Sequence, residues 1–339
     1  MLRAAEEAKL VPTMVQRILR EHQVYLDDHV RLAAYAAAVA DVVRPGDVVL
    51  DLGAGSGILG LMACRAGAGR VYALDRTGIV HVAAAVAAEN GWAERIVPIR
   101  GASTDVSLPE RAGVALCDQL GPFGFDGGVV RYYADATARL LVPSPRLVPR
   151  HLRTWLAPAE APRLQADLDA WLNPHAGFRF RAMREYAEST VYALPPEQIR
   201  LLAAGIPCLD HPLGTPLHAT DGITGEWVIE HGGRLHGICG WFVADLSENQ
   251  ALTNDPVITE RIRRSVGFLP TGEAVQVEPG DCVRAQVDVA GSMQVVRWRV
   301  DVFRGSVPLA SFARDTFRSL LLAGRAPGDA RVPGQGSDR

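Results

Sequence analysis

Residues 49–57 read Val-Leu-Asp-Leu-Gly-Ala-Gly-Ser-Gly, and a second apolar run, Val71-Tyr72-Ala73-Leu74, ends in Asp75 and Arg76. Both runs have the composition of buried strands, and both stop at a residue able to do chemistry. Glycines at 53, 55 and 57 let the backbone pass close to a ligand with no Cβ in the way. An acid at the tip of the second strand is placed to accept hydrogen bonds from a ribose diol. The pattern predicts a nucleoside-cofactor site built from Asp51, Gly53, Gly55, Gly57, Asp75 and Arg76.

The spacing narrows the cofactor. A dinucleotide turn wants its third glycine separated from the second by two residues, so that pyrophosphate can sit on the helix N-terminus. Here Ile58 occupies that position, and the order is Gly-x-Gly-x-Gly after Asp51. A carboxylate beside the helix start repels a pyrophosphate, whereas it attracts the amino group of S-adenosylmethionine (SAM) and tolerates its sulfonium. The expected cofactor is therefore SAM, not NAD.

The elements that must hold these groups alternate. Strands are expected at 48–52, 70–75, 95–100 and 114–118, with helices at 30–43, 57–66, 78–91 and 129–141. That rhythm predicts a parallel sheet covered on both faces. Its ligand belongs at the carboxyl ends of the strands, where Asp51, Asp75 and Asp118 fall. From about residue 237 period-two runs dominate, such as Val283-x-Ala285-x-Val287-x-Val289, with turns at Pro279-Gly280-Asp281 and Ala290-Gly291-Ser292. This half is expected to be antiparallel β. Four parts follow: N-terminal helices over 1–45, a Rossmann-like domain over 46–150, an antiparallel β sandwich or β-barrel over 151–323 with a helical arm near 171–210, and a disordered tail over 324–339.

The chain has 339 residues and a formal net charge of -3, with Lys9 its sole lysine. That charge makes no electrostatic case for nucleic acid or an anionic membrane. The five cysteines are scattered and never form a Cys-x-x-Cys pair, which points to reduced thiols in a cytoplasmic setting and no zinc site. No run of about 20 apolar residues is present to span a membrane. His231, His236 and Cys239 lack the further ligands a metal needs and are read as strand residues. Trp241 and Phe242 are read as core, and His81 as structural.

Several matches in order, over roughly residues 24–320, resemble the protein arginine methyltransferase family. Residues 25–31, Tyr-Leu-Asp-Asp-His-Val-Arg, followed by Tyr35, look like the family's N-terminal helix; the resemblance implies that Arg31 grips the SAM carboxylate. Residues 67–71 leading to Asp75 match with the family's spacing. Residues 100–109 look like the adenine-binding segment, with Thr104 standing where the family has glutamate; contact then passes to Ser103, Thr104 or Asp105. The resemblance also implies a homodimer through the arm, with Trp171, Tyr186, Tyr192 and Leu194 as apolar contacts.

Two departures lie on the acceptor side. The family's loop of two glutamates, which clamps a substrate guanidinium, corresponds here to residues 117–128. Asp118 matches the first glutamate; the second falls at Gly127 or, with a one-residue shift, at Asp126. Each aspartate is shorter by one methylene, about 1.5 Å. Phe123 and Phe125 in this loop suit either packing or a flat substrate. Where the family has Thr-His-Trp, the chain reads Glu260-Arg261-Ile262. An arginine there repels a guanidinium and welcomes a carboxylate or phosphate, while Glu260 replaces a lost acid. The expectation is a SAM-dependent methyltransferase acting on a small-molecule acceptor, such as an amino acid or a secondary-metabolite intermediate. Asp118 and Asp126 are its catalytic candidates. Arginine N-methylation of a protein or of the free amino acid is the alternative, and an inactive scaffold a second one.

Overall fold

The computed structural model describes residues 15–217, 222–290, 295–317 and 319. The expected tail, residues 1–14 with Lys9, and the turn at Gly291-Ser292 lie outside them. The chain divides into two compact units. The first comprises Met1–Leu152, His211–Pro216 and Val243–Arg264; the second comprises Arg153–Asp210, Leu217–Phe242 and Ser265–Arg339.

The first unit is a parallel sheet. Its strands are β1 (Val48–Leu52), β2 (Arg70–Asp75), β3 (Ile96–Arg100), β4 (Ala112–Cys117) and β5 (Leu141–Val148), arranged in the order β3-β2-β1-β4-β5. All four pairings are parallel. Such strands are covered on both faces, and Val49, Leu50, Val71, Val114 and Leu116 are fully buried. Each contributes about 1.5–3 kcal/mol on leaving water. Helices α1 (15–26), α2 (His29–Val42), α3 (Ile58–Arg65), α4 (Val80–Glu89) and α5 (Val129–Arg139) complete the unit. The strand order reverses between β1 and β4, and such a switch point opens a crevice at the strands' carboxyl ends.

The second unit is antiparallel. One sheet runs Arg200–Leu201, His151–Glu160, Gly233–Asp245, Val266–Val277, Tyr192–Leu194; another runs Ile223–Val228, Cys282–Ala290, Val295–Arg304, Val307–Asp315. Trp298 donates its indole N–H to Pro270 O at 2.8 Å and so joins the two sheets. The turn at Pro279-Gly280-Asp281 closes through a 3.0 Å bond from Asp281 N–H to Glu278 O. Trp241 stacks on Trp155 in the core, and buried His236 accepts the Ala161 N–H at 2.8 Å, both structural roles.

The segment 171–210 is less helical than expected: its one α-helix is Arg181–Ala187. Pro174 and Gly177 lie in a short hairpin, and Pro196 opens only a 3-10 turn, Pro196–Gln198. Leu194 is buried and, with Tyr192, packs into this unit's own core. The exposed apolar groups are instead Leu172, Phe178 and Phe180. Among the described residues, no helix is long and apolar enough to cross a membrane.

Candidate active site

A cavity of about 380 Å³ opens at the strand ends of the first unit. Its walls include Gly53, Gly55, Asp75, Arg76, Ser103 and Thr104, with Arg31 and Asp118, so most of the sequence-predicted cofactor residues meet there. The glycine turn is shaped by close approach. Gly55 has φ +55°, and a Cβ on it would come within 2.6 Å of the His22 ring; a Cβ on Gly53 would come within 2.5 Å of the Gln119 amide. Gly57 caps α3 from the left-handed region.

Asp75 is held in place by its own strand end. Its Oδ2 accepts the Gly55 N–H at 3.0 Å, and its Oδ1 accepts the Thr77 N–H and hydroxyl at 2.7 and 2.8 Å. A carboxylate has about four acceptor positions, so capacity remains for a diol. Asp51 lies at the end of β1, where it is 1% exposed. Its Oδ2 accepts the Gly60 N–H at 2.9 Å, while Oδ1 has no partner. Burial pushes its pKa up to about 7, only partly offset by the Gly60 amide, with Asp75 and Asp118 adding to the rise. The buried Ser103 hydroxyl is likewise without a partner. Asp51 and Gly57 are the two sequence-predicted cofactor residues that do not line the cavity.

Arg31 and Tyr35 lie one turn apart on α2, on the same face, and both reach Asp118 at the end of β4. The Asp28 side chain caps the helix by accepting the Arg31 N–H. Arg31 Nε and Nη2 pair with Asp118 Oδ2, and Nη1 donates to Tyr25 O at 3.0 Å. Three of its five donors are used, which leaves two. Burial, the largest single influence, lowers the Arg31 pKa, but the charge and hydrogen bonding of Asp118 together with Tyr35 and Asp28 outweigh it and the net shift is upward. The Tyr35 hydroxyl donates to Asp118 Oδ1 at 3.1 Å. Burial, then Asp118, holds that phenol well above its usual pKa.

The acceptor-side residues are distributed differently. Asp126 does not line the cavity: its Oδ1 accepts the Phe123 N–H at 2.9 Å, and its carboxylate lies so close to Gly121 that a Cβ there would come within 2.1 Å. The residue as a whole is exposed, yet loss of hydration where its oxygens meet the loop raises the pKa to about 6. The loop amides pull it back, and so does the Arg264 charge. Phe123 and Phe125 are buried and stack on each other at 5.8 Å. Glu260 is exposed, and Arg261 Nη1 donates to Ile258 O at 2.5 Å; neither lines the cavity.

The arginine that does reach Asp118 is Arg264. Its Nη2 is 3.6 Å from Asp118 Oδ1, and its guanidinium lies 5.7 Å from the centre of the Tyr25 ring. Sequence reasoning missed it, together with His22, Tyr25 and Gln119 in the cavity wall. The only available signal was the charge of the Arg263-Arg264 pair, which favours no particular target.

Comparisons with known proteins agree with this picture. A family described as "Ribosomal protein L11 methyltransferase (PrmA)" matches residues 32–118. The probable histone-arginine methyltransferase CARM1 of Oryza sativa subsp. indica is 30% identical over 246 residues, covering 66% of this chain and 45% of its own length. The protein arginine N-methyltransferase PRMT10 of Oryza sativa subsp. japonica is 39% identical over 136 residues, covering 39% and 36%. The chain thus spans less than half the length of these curated relatives. Among solved structures, a Trypanosoma brucei PRMT1 enzyme–prozyme heterotetrameric complex with AdoHcy superposes with a TM-score of 0.74 at 19% identity, covering 87% of this chain and 96% of that one. Arabidopsis thaliana protein arginine methyltransferase 10 gives 0.72 at 22%, covering 88% and 97%. At these identities the structural likeness speaks to the fold. In sequence and in fold, the chain resembles the protein arginine methyltransferases, a family of SAM-dependent enzymes.

Proposed function

We propose that the chain is a SAM-dependent methyltransferase of the arginine-methyltransferase type. The observation that carries the reading is the unpartnered, buried Oδ1 of Asp51 beside the glycine turn. It meets the demand of a cationic amino group in a place that leaves a pyrophosphate no favourable contact. Asp75 serves the ribose hydroxyls, Ser103 and Thr104 the adenine, and the two undonated N–H groups of Arg31 the cofactor's carboxylate. When bound, SAM supplies an electrophilic methyl for in-line displacement. The chain contributes alignment, and it excludes water around a wall in which Arg31 is 5% exposed.

An arginine nitrogen is the acceptor that the relatives' names support, in place of the small-molecule acceptor expected from sequence. In this reading Asp118, in the cavity wall, is the carboxylate that orients the acceptor nitrogen, whereas Asp126 is turned into its own loop. The chain assembles as a homodimer in this reading. The exposed Leu172, Phe178 and Phe180 offer the apolar surface, and sedimentation at twice 36.5 kDa is the expected result.

The test is calorimetry with SAM and its demethylated product AdoHcy, followed by tritium transfer from SAM to a glycine–arginine-rich peptide and to free arginine. Expected are one site of about micromolar affinity and label in an arginine acceptor. Absence of cofactor binding overturns the proposal; binding without label in either acceptor overturns only the acceptor.

A further inference from the structure

Asp118 carries two guanidinium groups. Arg31 takes one carboxylate oxygen, while Tyr35 and Arg264 address the other. The side chains of Arg31, Asp118 and Arg264 are only 6%, 10% and 11% exposed, so solvent screens these charges little. Arg31 also feels the charge of Asp28, and Arg264 that of Asp126, but Asp118 is the carboxylate that pairs with both guanidiniums.

Arg264 is fixed by its backbone. The Arg263 N–H donates to Asp28 Oδ2 at 2.7 Å, the Ile262 N–H to Thr253 O at 3.0 Å, and the Arg264 N–H to Ile262 O at 2.8 Å. The guanidinium itself, among the described residues, has the 3.6 Å ion pair and the Tyr25 ring face but donates no hydrogen bond. Arg264 does not line the cavity itself but contacts two of its wall residues, Tyr25 and Asp118. A planar donor fork that is held in place, short of acceptors and nearly buried matches a carboxylate bidentately.

We propose that Arg264 is a specificity residue that binds an anionic group, a carboxylate, on the methyl acceptor, with Asp118 as the positioning residue that holds Arg264 and Arg31. This rests on the methyltransferase reading but not on arginine as the acceptor. It requires an acceptor whose methylated atom is accompanied by a negative charge, such as a free α-carboxylate or an acidic neighbour.

The full chain labelled with ¹⁵N-arginine reads this directly through its Nε–H resonances, Arg264 being assigned by R264K. Sodium acetate and sodium phosphate are titrated in turn, with and without AdoHcy. Expected is a saturable shift of the Arg264 signal with acetate, at a Kd of about 1–20 mM. A response to phosphate as well keeps the anion site and widens its ligand. No saturable acetate shift up to about 100 mM overturns the proposal. AdoHcy calorimetry on the same sample separates the two ideas: loss of cofactor binding removes the methyltransferase reading, whatever acetate does.

Discussion

The Asp28 carboxylate accepts the backbone N–H of Arg263 at 2.7 Å, across 235 positions of sequence. With its other oxygen it caps α2 at Arg31 N–H, 3.1 Å away. One buried side chain thereby sets both the helix that carries Arg31 and the loop that carries Arg264, and so the two guanidiniums that flank Asp118.

Asp28→Ala removes the cap, worth about 1 kcal/mol, and strands a second amide donor at about 1–3 kcal/mol. Stability in urea should fall by about 2–4 kcal/mol. AdoHcy affinity should fall about tenfold as Arg31 loses its orientation. Asp28→Asn keeps one acceptor oxygen, so an intermediate loss is expected. An unchanged urea midpoint for Asp28→Ala would show that the carboxylate does not join these segments.

Asp75→Ala separates binding from folding. The side chain accepts three hydrogen bonds from its own turn, so a modest stability loss of about 1–2 kcal/mol is expected. The larger effect should be on cofactor affinity, where losing charge-assisted bonds to two hydroxyls costs about 1.5–3 kcal/mol, or about 10–150-fold. Calorimetry with AdoHcy and with its 2′-deoxy analogue checks this. The wild type should distinguish the two ligands, and the variant should not.

The regular half of this architecture is legible because its signals are local. β1 and β2 begin and end where the apolar runs do, and Asp51 and Asp75 occupy the strand ends that the glycine spacing implies. β4 starts two residues early, at Ala112, since strand pairing continues beyond the apolar run that announces it. The acceptor side is not local. Arg264 meets Asp118 from an irregular loop without period, so neither helical nor strand spacing selects it over Arg261 or Arg263. Asp126 is misleading for a related reason: a carboxylate in a glycine loop reads as a substrate group, but it accepts its own loop amide at Phe123.

Asp51 makes stability depend on pH. Its folded pKa of about 7 stands above the usual 3.8, so ionisation is disfavoured in the folded state. Below the unfolded value the group is neutral in both states and its full contribution is present. As pH rises through about 7 that contribution is lost, with an upper bound of about 4 kcal/mol. Asp51→Asn keeps an acceptor for Gly60 but buries an unpartnered amide, at about 1–3 kcal/mol. The variant should therefore be more stable than the wild type at about pH 8 and less stable at about pH 4. Its SAM affinity should fall at least about tenfold for want of the charge. Thermal melts at the two pH values, paired with calorimetry, check both signs.

Asp118 and Asp126 should part company on substitution. Asp118→Asn leaves Arg31 and Arg264 facing each other without an intervening anion, and breaking such a buried pair costs about 3–5 kcal/mol. The loss should appear in the urea midpoint and in cofactor affinity together, because the same carboxylate orients Arg31. Asp126→Asn keeps an oxygen for the Phe123 amide and removes only a charge that loss of hydration already disfavours. AdoHcy affinity should then change by less than about threefold, under 1 kcal/mol. Asp126→Ala should loosen the 121–128 turn, lowering stability by about 1–2 kcal/mol through the stranded amide. If Asp126→Asn instead abolishes methyl transfer while melting and AdoHcy binding stay as in wild type, the side chain must leave its loop in the working enzyme and act on the acceptor.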